Sequence, residues 1–170
     1  LPLTLHEGVT ARPLAAVCKN DGTPYVVYSP YRQRWLAQGA VTRDMILPAP
    51  TTLTTPTHLV SLPIPSEPAL DPLIPFQPGE AAAKQRLGAF INGEGAPIYD
   101  YAQVRDRPAL QATAQLSPYL RFGMISARLA ALAAYTALDQ APNDAAREGA
   151  AIWLSELIWR DFYSAVMHHF

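Results

Sequence analysis

Nine of the chain's 17 prolines fall between Pro48 and Pro78, mixed with threonine and serine and almost no charge. Each proline removes a backbone donor and bars the α conformation from the residue before it. No regular helix or central strand runs through such a stretch, so residues 46–78 read as an extended connector. Its scattered leucines and isoleucines are expected to lie against a surface. The connector divides the chain into residues 1–45, 46–78 and 79–170. At 170 residues there is enough chain for a real core. The sequence opens at Leu1 and stops at Phe170 inside a helical pattern, so a longer protein is expected.

The first part reads as α/β. Pro13–Cys18 is a short apolar run, and Asn20-Asp21-Gly22 has turn chemistry. Tyr25-Val26-Val27-Tyr28 is β-branched and aromatic, which predicts a strand. Ser29-Pro30 then reads as an N-cap with proline at the first helical position, opening a helix that carries Tyr31, Arg32, Arg34, Trp35 and Leu36. One or two strands make no stable sheet alone, so this part reads as the tail of a larger α/β domain.

The last part is helical. Glu80–Ile91 is alanine-rich with Leu87, Phe90 and Ile91 in one stripe, and Gly93 lies past its end. Ile98–Arg107 is a short polar–aromatic segment closed by Pro108. Ser117-Pro118 opens a short helix that Gly123 ends, Ser126 begins another through Leu138, and Pro142-Asn143-Asp144 caps the last. That final helix is apolar on most sides, as a helix inside a bundle is. Within it, Trp153, Glu156 and Arg160 stand at about 0°, 300° and 340° around the axis, with Trp159 at about 240°. An aromatic, a carboxylate and a guanidinium on one face suit a flat, hydrogen-bonding, partly anionic ligand. On these residues alone the favoured reading is a buried helix with an i,i+4 Glu156–Arg160 pair and tryptophans for bulk.

Composition narrows the function. A net charge of −1 supplies no bulk basic field for nonspecific nucleic-acid binding, though a local patch stays open. Cys18 is the one cysteine, which excludes an internal disulfide and a CxxC zinc site. It reads as a buried strand residue. His168 and His169 are adjacent and point about 100° apart on a helix, so no metal site is assigned. Asp100 and Asp106 read as solvated loop acids rather than a carboxylate pair, Arg32 and Arg34 as lying on a solvent-facing helix side. With no signal pattern and no apolar run of membrane length, the expected setting is cytoplasmic, without a membrane partner.

Three segments carry a resemblance. Leu116-Ser117-Pro118-Tyr119-Leu120-Arg121-Phe122-Gly123-Met124-Ile125-Ser126 resembles a signature of the photolyase/cryptochrome flavoproteins. Trp153-Leu154-Ser155-Glu156-Leu157-Ile158-Trp159-Arg160-Asp161-Phe162-Tyr163 is similar to that family's Trp-Leu-x-Glu-Leu-Ile-Trp-Arg-Glu-Phe-Tyr helix. Lys19–Tyr31 resembles the segment in which the family's N-terminal domain ends. The order is right and nearly the whole chain is covered, with the class I pyrimidine-dimer photolyases as the nearest pattern.

The resemblance implies the tail of a Rossmann-like antenna domain, a proline-rich linker, and the first part of an all-α FAD-binding domain. It implies light-driven repair of cyclobutane pyrimidine dimers in DNA, with reduced FAD giving an electron to a flipped-out dimer. Carried over by position, Tyr101, Thr113, Ala114, Gln115, Leu116, Ser117, Trp153 and Arg160 contact FAD. Arg105, Glu156, Trp159, Arg160 and Tyr163 face DNA, with Glu156 bonded to the flipped bases and Trp159 as the wall they pack on. Core packing is the reading for Leu157, Ile158 and Phe162. Ala114 and Gln115 depart from the commoner Thr-Ser-Arg-Leu-Ser loop by a hydroxyl and a cation, which leaves more of the diphosphate to backbone N–H groups. The remaining flavin contacts are expected beyond Phe170, so the 170 residues alone are expected to hold FAD weakly or not at all. A second antenna chromophore is left open, and the full-length protein is expected to be a monomer. A flavin photoreceptor without repair, and a helical interaction module without cofactor, are the alternatives. Trp159 beside Glu156 favours repair.

Overall fold

The structure, a computed structural model, describes residues 8–55, 58, 60–63, 65, 76–93 and 95–170. Among these stand six α-helices: α1 (Tyr28–Leu36), α2 (Glu80–Ile91), α3 (Pro97–Val104), α4 (Ser117–Arg121), α5 (Ala127–Gln140) and α6 (Asp144–His169). Short 3₁₀ turns occupy Leu14–Ala16 and Arg43–Met45.

The 26-residue α6 is the axis, about 39 Å long at 1.5 Å per residue, and α1, α3 and α5 pack along it. Its start is fixed as the sequence indicates, with the Asn143 side chain accepting from the Ala146 N–H at 2.9 Å. Ser126 caps α5 in the same way, accepting from the Arg128 N–H at 3.2 Å. The buried face of α5 is made of alanines (Ala127, Ala130, Ala131, Ala133, Ala134, Ala137), which lets its backbone approach α6 closely. On the α3 side the space is tighter still. A Cβ on Gly149 of α6 would stand 2.4 Å from the Tyr99 carbonyl oxygen and 2.6 Å from that of Ile98. Glycine is there because α3 backbone touches α6 backbone. Helix α2 has the predicted bounds, buries Ala83, Leu87 and Phe90, and carries a Glu80–Lys84 pair on its outer side.

The N-terminal segment departs from its sequence reading. Among the described residues there is no strand, only an isolated bridge between Cys18 and Pro24. Tyr28 already belongs to α1, and Val26 and Val27 are 64% and 57% exposed. Strand propensity is realised only against neighbouring strands, and none of the described residues offers one. Because α1 opens at Tyr28 with Val27 as its cap residue, Ser29 lies inside the first turn and caps nothing. Pro30 is tolerated there because first-turn N–H groups have no helical partner. Pro13–Cys18 forms a 3₁₀ turn, and Cys18 is half-buried outside any strand. Ser117, expected as a cap, is the first residue of α4 and makes no capping bond; Gly123 (φ +68°) follows the helix end.

In the connector, Leu47, Leu53 and Leu62 are exposed rather than laid against a surface. Without a partner helix or sheet, an extended proline-rich run has no apolar face to offer. Residues 56, 57, 59, 64 and 66–75 of the connector lie outside the described residues. Its end is anchored where Phe76 packs on Tyr119, whose hydroxyl donates to the Gln77 carbonyl at 2.7 Å.

Residues 8–45 share one core with the helices. The link is Asp161 of α6, 1% exposed, whose carboxylate accepts from Trp35 Nε1 at 3.0 Å and from the N–H groups of Ala11 and Arg12 at 3.0 to 3.2 Å. Burial raises the Asp161 pKa above the ordinary aspartate value, opposed by these three donors and by the nearby Arg160 charge.

Two substitutions test this packing. Gly149→Ala is expected to destabilise by about 2 kcal/mol or more, because backbone overlap outweighs alanine's ~1 kcal/mol helix preference. Asp161→Asn turns an NH₂ donor toward N–H donors and is expected to cost about 1–3 kcal/mol. Urea unfolding of each variant measures both.

Candidate functional site

Between α3, the loop before α4, and the middle of α6 lies an open cleft of about 680 Å³. That falls within the ~300–1,000 Å³ usual for organic ligands and cofactors. Tyr101, Thr113, Ala114, Gln115, Leu116, Ser117, Trp153, Glu156, Arg160 and Tyr163 all line it, from three parts of the chain.

The apolar wall is Trp153, Leu157 and Tyr101. Trp153 is nearly buried and packs on Phe90 at 5.2 Å, and Tyr101 meets the same Phe90 edge-on at 5.9 Å. These rings are core and wall at once, which fixes the cleft's shape. Burial, then the Glu156 charge, raises the Tyr101 pKa, so the phenol keeps its proton.

The polar side is the loop 113–117. Ala114 and Leu116 are buried anchors, and Gln115 between them takes a left-handed φ of +48°. Leu116 follows in the right-handed region (φ −89°, ψ −3°). Alternating hands at successive residues turn consecutive N–H groups to one side, an arrangement that favours anions. A left-handed non-glycine residue carries a cost, and the Gln115 side chain is held by Arg86 of α2, which donates to its Oε1 at 2.6 Å. A guanidinium from another helix thus stands beside position 115. Arg86 is not itself part of the cleft lining, and its bond to Gln115 was not legible because the two positions are distant in sequence.

Arg160 donates through its guanidinium to the Val9 carbonyl at 2.5 Å and the Leu120 carbonyl at 3.2 Å. It therefore clamps the N-terminal segment and α4 to α6 while lining the cleft. Arg121 and Val9 also line it, neither singled out from sequence, although Arg121 sits inside the signature stretch. Leu157, assigned to packing, is buried and lines the cleft as well.

At the rim, Arg105 from the end of α3 donates to Glu156 Oε1, and its Nε stands 3.6 Å from Asp106. Trp159 does not line the cleft. It faces α1, where the Tyr28 ring stacks on it at 3.5 Å and 8°, and Tyr163 lies 5.5 Å away toward the cleft. The Tyr28 hydroxyl is bonded to Ser155 Oγ at 2.6 Å and lies 3.0 Å from the Ser155 carbonyl. Among the described residues no group of three or more His, Cys, Asp or Glu could hold a metal ion. Nor is any helix among them long and apolar enough to cross a membrane.

These features define a class: a helical segment, without strands among the described residues, with an open, cofactor-sized cleft, aromatic on one wall and with N–H and guanidinium donors on the other. No family model matches the chain. It is 36% identical to a deoxyribodipyrimidine photo-lyase of Synechococcus sp. over 91% of its own length and 33% of the relative's. It is 34% identical to that of Halobacterium salinarum over 96% of the chain and 34% of the relative. It is 38% identical to that of Thermus thermophilus over 86% and 30%. The chain belongs to the photolyase family as a segment, spanning about a third of the length of these relatives.

Loss of the Arg160 clamp has a measurable cost. Arg160→Ala is expected to destabilise by about 2 kcal/mol, with Arg160→Lys recovering less than half, since the two carbonyls are met by two separate guanidinium nitrogens and lysine has one. Thermal unfolding of the pair checks this.

Proposed function

We propose that the full-length protein carrying this segment is a light-driven, FAD-dependent deoxyribodipyrimidine photo-lyase that repairs cyclobutane pyrimidine dimers in DNA. The observation that carries the reading is the gathering of Tyr101, residues 113–117, Trp153 and Arg160 on one cleft, with Glu156 at its edge. The donor set fits the cofactor: apolar rings for a flat heterocycle, and convergent N–H groups with Arg121 and Arg160 for a diphosphate. When bound, the reduced flavin supplies the electron that opens the cyclobutane ring and takes it back afterwards.

The chain's own residues hold and screen. Trp153, Leu157 and Tyr101 exclude water from one side of the cofactor. The loop 113–117 orients the diphosphate, with Arg86 keeping Gln115 in its left-handed turn. Glu156 accepts hydrogen bonds from the flipped bases, whose extrusion is cheapest at a poorly stacked lesion. Trp159 gives the bases an aromatic surface, and the Tyr28 ring stacked behind it fixes the plane of the indole. Arg105 and Tyr163 meet the DNA around the flipped site. Residues 1–45 as the end of an N-terminal α/β domain, a second chromophore and a monomeric state belong to the same reading.

The test uses the full-length protein under reducing conditions. It is expected to copurify with flavin and to remove dimers from ultraviolet-treated DNA only under near-ultraviolet or blue light. Trp159→Ala is expected to weaken binding of dimer-containing DNA by roughly tenfold. Flavin retention with no light-dependent loss of dimers would instead support a photoreceptor.

A further inference from the structure

The Arg105–Glu156 contact joins two groups that the repair reading assigns to different parts of the DNA. The guanidinium, at the end of α3, would meet a phosphate; the carboxylate, on α6, would meet the flipped bases. Both side chains are partly open to solvent, 35% and 39% exposed, so a ligand can reach either. An arginine stays charged, and its fork serves a carboxylate or a phosphate equally well. It cannot serve both fully at once.

We infer that Arg105 and Glu156 form an exchange pair that sets discrimination between damaged and undamaged DNA. Without DNA, Glu156 occupies the guanidinium that a phosphate would take. A duplex with no extruded bases can gain Arg105 only by stripping Glu156 of its partner. That leaves a half-buried carboxylate beside an anionic backbone, which weakens binding. A lesion supplies base N–H donors to Glu156 and frees Arg105 for the phosphate in the same event, so both groups end satisfied. Asp106, 88% exposed at 3.6 Å from Arg105 Nε, stays beside the guanidinium in either state and does not decide the exchange. This inference rests on DNA being the partner and Glu156 meeting the flipped bases.

Fluorescence anisotropy of full-length, flavin-loaded protein on an undamaged duplex and on one holding a single thymine dimer tests it across a salt series. Releasing a partly exposed ion pair corresponds to about two- to fivefold in an equilibrium constant. Glu156→Gln is therefore expected to bind the undamaged duplex about two- to fivefold tighter. Its log K against log salt should steepen by up to about 0.9, one further phosphate contact. Its preference for the dimer should shrink. Arg105→Gln should weaken binding to both duplexes, and adding Glu156→Gln to it should give no gain on undamaged DNA. The exchange pair is overturned if Glu156→Gln leaves undamaged binding and its salt slope unchanged, or if the gain persists without Arg105. A wild type with no preference for the dimer sinks the repair reading, and this inference with it.

Discussion

The Asp161 carboxylate collects three N–H groups from parts of the chain more than a hundred residues away, and the rest of the arrangement hangs on that bond set. An anion so deeply buried persists only when its lone pairs are filled. Trp35 fills them from α1, and the backbone of Ala11 and Arg12 from the N-terminal segment, so both elements are seated at one depth on α6. Arg12 then lies over the Trp35 ring at 4.9 Å and donates to the Gly39 carbonyl, closing the segment behind the bond set. The preceding residue, Arg160, reaches the other way to Val9 and Leu120. Two adjacent residues with opposite charges thus position the same strip of chain from both sides, and Val9 becomes part of the cleft wall because of it.

Helix α6 can serve as scaffold and site together because its sides are assigned by residue size. Gly149 meets α3 and α5 presents alanines, so packing there needs little side-chain volume. The bulk is left for two other directions. Trp153, Glu156 and Arg160 turn to the cleft, and Trp159 turns to α1. Helical angles place Trp159 about 60° from Glu156. Accordingly Tyr28 of α1 stacks on the Trp159 indole, and Trp159 stands beside the cleft rather than in its lining.

What was legible in the sequence follows from how local the cause is. The bounds of α2 and the caps at Ser126 and Asn143 depend on neighbours within four residues, and they were readable. Many of the cleft-lining residues were named through motif resemblance, which carries tertiary information that angles alone do not, whereas Val9 and Arg121 were not. The strand expected at Tyr25–Tyr28 failed because its β-branched pattern needs a sheet, and Tyr28 finds Trp159 instead. The exposed leucines of the connector failed for the converse reason, since apolar residues signal burial only where a surface lies within reach. Asp161 was invisible because its donors come from residues 11, 12 and 35. The Arg86–Gln115 and Arg105–Glu156 pairs span 29 and 51 residues, beyond any helical or strand periodicity.

A net charge of −1 argues against a basic surface, yet the charges near the cleft are not interchangeable. Arg86 is held by a neutral amide, so its charge remains available to an anion. Arg160 is held by neutral carbonyls and stands 4.0 Å from Asp161, which offsets part of its charge. Arg105 alone of the three is bonded directly to a carboxylate. Arg160 therefore brings a partly offset positive charge to the cleft lining, whereas at the rim the Arg105 charge is paired with Glu156. Screening sharpens the contrast, because exposed charges fade beyond about 8 Å at physiological salt while partly buried ones persist. Under this arrangement the charges of the cleft act at short range, through contacts rather than through a far-reaching field.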